Sequence, residues 1–250
     1  MRKVLRELVQ AFALLTRLPT PPFRGKGAVA GCVWAFPLVG AAVGALGAAA
    51  YWLARGIAMT PALAAVLALA AQVVATGGFH EDGLADTADG FGGGTTPAEK
   101  LAFMRDSRIG TFGVLALVLV LAMRGSAIVA VADRARVGAA LVVAGTLGRA
   151  AIVGVLKALR PARADGLGAS VEAPGARRMA VAVLIGIALA FAILPPRRAA
   201  GALLIAAATA AATAWLARAQ IGGYTGDVLG AGEQAAECAV LALLAAAAAP

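Results

Sequence analysis

The sequence predicts an all-α fold: a polytopic helical membrane bundle of about seven transmembrane helices, with an amphipathic helix at the membrane surface before them. Three observations carry this. Apolar residues fill 61% of the 250 positions and charged residues 14%, with a mean hydropathy of +0.87, whereas soluble domains are about half apolar. The apolar residues fall in blocks of roughly 17 to 25, the length that crosses a ~30 Å hydrocarbon core as a helix. The alternation of a transmembrane barrel is absent, so the spans satisfy their backbones internally as helices.

In chain order, residues 2–18 come first. Leu5, Leu8, Val9, Phe12 and Leu15 share one helical face, with Arg2, Lys3, Arg6, Glu7 and Gln10 mostly on the other. The segment lacks the long apolar core and cleavage site of a signal peptide, so it reads as an interfacial helix. Spans are expected near 29–54, 60–76, 110–132, 137–156, 179–195, 199–217 and 233–249. Runs such as GAAVGALGAAA from Gly40 allow the close helix contacts on which membrane bundles depend. Within the polar connection 77–109, Thr96-Pro97-Ala98-Glu99 has the form of a capping box with proline at the first helical position. The helix begun there is expected to run through KLAFMRDSRIG. No polar stretch is long enough to fold apart from the bundle, so 1–250 reads as a single membrane domain. Cys32 and Cys238 both fall in spans and suggest neither a disulfide framework nor a zinc site.

The formal net charge is +9. In a membrane chain such a charge records orientation, and no nucleic-acid partner is expected. The N-terminal arm, the connections 77–109 and 157–178, and Arg218 together hold 15 Lys and Arg; the opposite loops hold five, Arg55, Arg134, Arg136, Arg197 and Arg198. By the positive-inside rule the first side is cytoplasmic, with Arg197 and Arg198 the weakest point of the assignment.

Chemistry concentrates between Gly77 and Gly94, which reads GGFHEDGLADTADGFGGG. Of 13 Asp and Glu, six (Glu81, Asp82, Asp86, Asp89, Glu99 and Asp106) fall in one short stretch, more than a solvated loop requires. Asp82, Asp86 and Asp89 are spaced i, i+4, i+7, so a helix would put all three on one face, where they repel unless a cation sits among them. Carboxylates are hard ligands suited to Mg²⁺, with Mn²⁺ as a substitute, and Glu81 is a further candidate. Gly92 and Gly93 would let backbone approach an anionic ligand. His80, the single histidine, is either a structural residue or a catalytic one beside Glu81 and Asp82.

Downstream, Arg105 and Arg108 lie one helical turn apart with Asp106 between them. They suit either interfacial anchoring or a guanidinium clamp on phosphate oxygens. GGYTGDVLGA from Gly222 brings Thr225 and Asp227 to the same predicted side, where Asp227 could complete the metal site from another helix. Arg149, inside a span, must face the bundle interior and find an anionic partner or ligand. Arg124 raises the same question. Carboxylates for metal with arginines for phosphate is the pairing of a phosphoryl-transfer site.

These motifs resemble the cobalamin synthase family, the adenosylcobinamide-GDP ribazoletransferases. The likeness spans nearly the whole chain: TRLP from Thr16, FPLVGAAVG from Phe36, the acidic motif from Gly77, MRDSRIGTFG from Met104 and GGYTGDVLGA from Gly222. It implies a multi-pass enzyme of the bacterial inner membrane with a cytoplasmic, Mg²⁺-dependent site. Such an enzyme joins α-ribazole or its 5′-phosphate to adenosylcobinamide-GDP, giving adenosylcobalamin or its phosphate and GMP. The 5′-hydroxyl of ribazole would attack the phosphorus that carries cobinamide. Asp82, Asp86 and Asp89 would hold the metal, Asp89 would also accept the proton, and Arg105 and Arg108 would bind the diphosphate, with Arg149 next in line. The partners implied are these small molecules and the lipid bilayer; association with further copies is left open. DGLAD is also similar to part of the CDP-alcohol phosphotransferase signature, but Asp86 stands near where that pattern has arginine. A CDP-alcohol phosphatidyltransferase is the second reading. An ion or metal transporter is a third, disfavoured because its acids would lie near the bilayer midplane.

Overall fold

The computed structural model describes residues 2–21, 28–131, 133–163 and 174–246. Arg24 and Lys26 of the basic arm, and 164–173 of the connection 157–178, lie outside the described residues. All regular structure among the described residues is helical: α1 (Arg2–Leu15), α2 (Ala28–Cys32) continuing through a 3₁₀ turn into α3 (Phe36–Gly56), α4 (Pro61–Thr76), α5 (Phe79–Gly93), α6 (Pro97–Phe103), α7 (Thr111–Val131), α8 (Arg134–Ala158), α9 (Ala176–Ile193), α10 (Pro196–Ile221) and α11 (Gly226–Ala246). Six stretches are long and apolar enough to cross a membrane: Val29–Gly56, α7, α8, α9, α10 and α11. The chain is a multi-pass membrane protein.

The expected span at 60–76 is α4, and its 16 residues reach only roughly 24 Å, short of a hydrocarbon core. It continues into α5 through a 90° bend. The bend sits at Gly77 and Gly78, whose φ of 69° and 70° place two successive residues in the left-handed region that only glycine enters without strain. The acidic motif is therefore no loose surface connection. It is a helix turned across the end of the bundle, packed on α11 and α7.

α8 is the centre of the bundle, touching α3, α11, α10 and α9. Gly40 and Gly44 of α3 face the backbone of Gly145 and Leu141 so closely that a Cβ at either would strike a carbonyl. This is the small-residue packing that replaces hydrophobic drive between helices in lipid. The short loops place α5, α6 and the starts of α7 and α11 at one end of the bundle, and the starts of α8 and α10 at the other.

α1 meets the core with Leu8, Phe12 and Leu15 of its expected apolar face, while Leu5 of that face is exposed and the buried set also takes in Ala11 and Glu7. Glu7, read from the sequence as polar-face, is an ionic anchor: it accepts from Trp34 Nε1 at 3.0 Å and pairs with Arg178 at 2.8 Å. Burial of that carboxylate is repaid by two partners at once.

Candidate functional site

Two polar clusters occupy the end of the bundle that carries α5. The outer one is built on the exposed face of α5, where Asp82 is exposed and Asp86 and Asp89 are half-buried. Asp86 feels Asp82, Asp227 and Asp89 as neighbouring like charges and Arg163 as its cation. Asp227 enters at the first turn of α11, close because Gly83 lets α5 lie against its backbone. Thr225 caps that turn, accepting from Val228 N at 3.2 Å and donating to Asp227 Oδ2 at 3.1 Å. Arg163 Nη2 lies 3.4 Å from the same Asp227 oxygen. Two backbone bonds position Arg163: Ala162 N donates to Tyr224 O at 2.8 Å and Tyr224 N to Arg160 O at 3.0 Å. Its Nη1 is buried without a hydrogen-bond partner among the described residues.

Asp89 does something the sequence reading did not foresee. Its carboxylate accepts from Gly110 N at 2.7 Å and Gly113 N at 2.8 Å, so it holds the entrance to α7 as a capping anion. Among the described residues, no backbone amide bonds the Asp82 or Asp86 carboxylate in this way. Beside Asp89 opens a cleft of about 460 Å³ that also takes in Gly93, Asp106, Arg108 and Phe112.

The capping box is present, with Thr96 and Glu99 satisfying each other's backbone. The Thr95 hydroxyl and the amides of Thr96 and Thr95 hold the Glu99 carboxyl down at about 2. The helix ends at Phe103, however, and does not continue through Gly110. Asp106 ends it: its side chain accepts from Arg108 N at 3.0 Å and binds the Arg108 guanidinium at 2.6 Å. That local turn competes with helix and puts Arg105 and Arg108 on a loop. The guanidinium and amide of Arg108 hold the Asp106 carboxyl down at about 2. Gly92, expected to admit a ligand, is covered by the Phe112 ring, and Phe103 lies against Gly93.

The inner cluster lies deeper and unites four helices and the start of α5. Arg149 pairs with Glu233 at 2.5 Å and Glu237 at 2.9 Å. Arg124 binds Glu237 at 2.6 Å, Gln234 at 2.8 Å and Gln72 at 3.0 Å. Glu81 turns inward, away from the row: it accepts from Gln234 Nε2 at 3.1 Å and lies 3.6 Å from Arg124. His80 is 1% exposed, with Nδ1 3.5 Å from Glu233 and 3.4 Å from an Arg149 nitrogen. Glu81, His80 and Arg149, which the sequence grouped with the metal and substrate residues, thus belong to a buried ionic network one helical layer inside. One geometric reason suffices for Glu81: position 81 precedes 82 by 100° around the helix and cannot share its face.

Sequence reasoning missed Arg163, Glu233, Gln234 and Glu237. The last three had a signal, since GEQAAECA inside a span places two acids one turn apart, opposite in charge to the two arginines already noted in other spans. Arg163 had only its place among other loop cations.

Among the described residues, no three His, Cys, Asp or Glu converge as a preformed metal cage. The donor set is still one that a hard cation suits: carboxylates on α5 and α11 facing one another with Arg163 as their cation. Mg²⁺ commonly takes one or two carboxylates and completes its shell with water and substrate phosphate.

The family described as cobalamin-5-phosphate synthase matches residues 7–245. A relative from Bradyrhizobium diazoefficiens named adenosylcobinamide-GDP ribazoletransferase is 44% identical over 247 residues, covering 98% of this chain and 95% of its own. Similarly named relatives from Mesorhizobium japonicum (41% identical; 96% and 93% covered) and Ralstonia nicotianae (39% identical; 98% and 96% covered) span the same length. No solved structure matches the chain. The acidic helix, the arginine loop and the GGYTGD turn all fall inside the matched range, and the chain belongs to the cobalamin-5-phosphate synthase family.

Proposed function

We propose that the chain is an adenosylcobinamide-GDP ribazoletransferase whose reaction takes place over the outer face of α5. The observation that carries this, beside family membership, is the meeting of Asp82, Asp86 and Asp227 with Arg163 where no apolar packing calls for them. A ribose hydroxyl attacks the phosphorus bearing cobinamide, the bond from that phosphorus to the GMP oxygen breaks, and the hydroxyl proton passes to Asp82 or Asp86. A product that carries a 5-phosphate, as the family description states, cannot have been joined through that same position. The attacking hydroxyl is therefore another of the ribose, which corrects the 5′ assignment drawn from the resemblance.

Mg²⁺ held by Asp82, Asp86 and Asp227 would neutralise diphosphate charge and align an in-line displacement. Arg163 serves as counter-cation to Asp227 before substrate arrives, with its buried Nη1 directed to a phosphate oxygen afterwards. Arg108, which lines the cleft, and Arg105 on the same loop bind the diphosphate when Asp106 releases Arg108. Asp89 keeps that loop and α7 in register with the row. The inner network holds α5 at its depth, because Glu81 and His80 tie its first turn to α7, α8 and α11.

The acidic end faces the cytoplasm of a bacterial inner membrane by the distribution of basic loops, the compartment that would supply soluble nucleotide substrates. Incubating purified enzyme with adenosylcobinamide-GDP, α-ribazole or its 5′-phosphate, and Mg²⁺ should release GMP in step with corrinoid product. Absence of GMP with both acceptors would overturn the assignment.

A further inference from the structure

At the end of the bundle opposite the acidic row, a cavity of about 620 Å³ opens where α8 and α10 begin and α9 ends. Its wall is apolar, with Ala139, Ile193 and Leu244 among the lining side chains, and its rim carries three guanidinium groups, Arg136, Arg197 and Arg198. We propose that it binds one anionic phospholipid, the phosphodiester on the arginines and an acyl chain along the apolar wall.

Two costs in the placement of these arginines are removed by such a ligand. Arg197 and Arg198 occupy the first turn of the 26-residue α10, and Arg136 the first turn of α8. Cations there oppose the positive end of the helix dipole, where an anion belongs. The acids at this end offer little relief, since Asp133 is the single one among the described residues and its carboxylate accepts from Arg136 N as a helix cap. Arg136 and Arg197 have no carboxylate partner among the described residues. Arginine forks match phosphate geometry, and cations at the depth of a lipid headgroup attract anionic lipid. Ala139 and Ala140 line it about one helical turn inward from Arg136 on α8, which sets apolar lining below a cation as tail lies below headgroup in a leaflet.

The test uses the full-length protein, delipidated in neutral detergent and titrated with dioleoylphosphatidylglycerol or dioleoylphosphatidylcholine, with bound lipid counted by native mass spectrometry. One phosphatidylglycerol should be retained in preference to phosphatidylcholine. The triple variant Arg136→Gln, Arg197→Gln, Arg198→Gln should bind it on the order of 10²-fold more weakly. Ala139→Leu, which leaves the arginines in place and narrows the apolar wall, should also weaken it and serves if the triple variant does not fold. GMP release by the folded variants, assayed in detergent, should remain, because the acidic row lies at the other end. Equal retention of both lipids would overturn the proposal, as would undiminished phosphatidylglycerol binding by either variant. Displacement of the lipid by millimolar inorganic phosphate alone would reassign the rim to a simple anion site, and loss of a dimer in Ala139→Leu would reassign the cavity to a second copy.

Discussion

Asp82 and Asp86 carry the heaviest chemical expectation of any residues in the chain. Among the described residues neither oxygen pair is engaged by backbone, so Asp82→Asn and Asp86→Asn should each lower kcat by ~10²-fold or more, the scale of lost preorganised charge stabilisation, with unchanged expression and thermal midpoint. Near-normal turnover in both would remove the row from the mechanism. The inner network predicts the reverse signature. Glu237 is bonded to both buried arginines, so Glu237→Ala leaves two guanidinium groups short of a counter-charge and should cost about 3–5 kcal/mol of stability, seen as a large loss of folded protein in detergent. Arg105 and Arg108 separate anchoring from binding: Lys at both suffices for an interfacial anchor, but a phosphate clamp needs the fork. The double Lys variant should raise KM for the GDP-activated corrinoid more than for ribazole, and unchanged constants would make them anchors.

At the scale of the element, the decisive feature is the corner between α4 and α5. Nothing lies within contact of a Cβ placed on Gly78, so Gly78→Ala should cost about 1 kcal/mol from left-handed strain alone and should lower kcat by tilting the row. An unaltered melting curve and rate would show that the corner tolerates an ordinary residue. The other end of α5 is secured by Asp89, and Asp89→Ala unties two amides of the α7 entrance. A loss of about 1–3 kcal/mol, measured by thermal unfolding, is expected together with weaker corrinoid binding, because the Arg108 loop loses its anchor point.

For the whole molecule, alternation of the helices sends Thr95 and Ile57 to opposite faces of the membrane, with the α4–α5 pair counted as one crossing. In a cysteine-free background Thr95→Cys should resist an impermeant thiol reagent in intact cells and react in inverted membranes, and Ile57→Cys should do the opposite. Identical labelling of both would make α4–α5 a re-entrant hairpin and move the acidic end. Excess chelator should abolish GMP release, and Mg²⁺ or Mn²⁺ should restore it better than Ca²⁺, which prefers a larger and looser shell.

The membrane class, most helix positions to within a few residues, and the capping box at Thr96 were legible in the sequence because each rests on local information, block length and turn chemistry, although the last helix begins seven residues before the expected span. The family, too, is carried by contiguous motifs. That Glu81 leaves the row follows from its 100° offset once the segment is helical, but which side of α5 meets α11 was not legible, because it is set by packing at Gly83 against the Asp227 backbone. Tertiary structure alone joined Glu233 and Glu237 to Arg124 and Arg149, since in a span any charge needs a partner but spacing cannot say which helix supplies it. It alone brought Arg163 to Asp227, by two backbone bonds between segments roughly sixty residues apart. And it alone showed Asp89 capping the entrance to α7, because the amides that bond its oxygens lie on a neighbouring element.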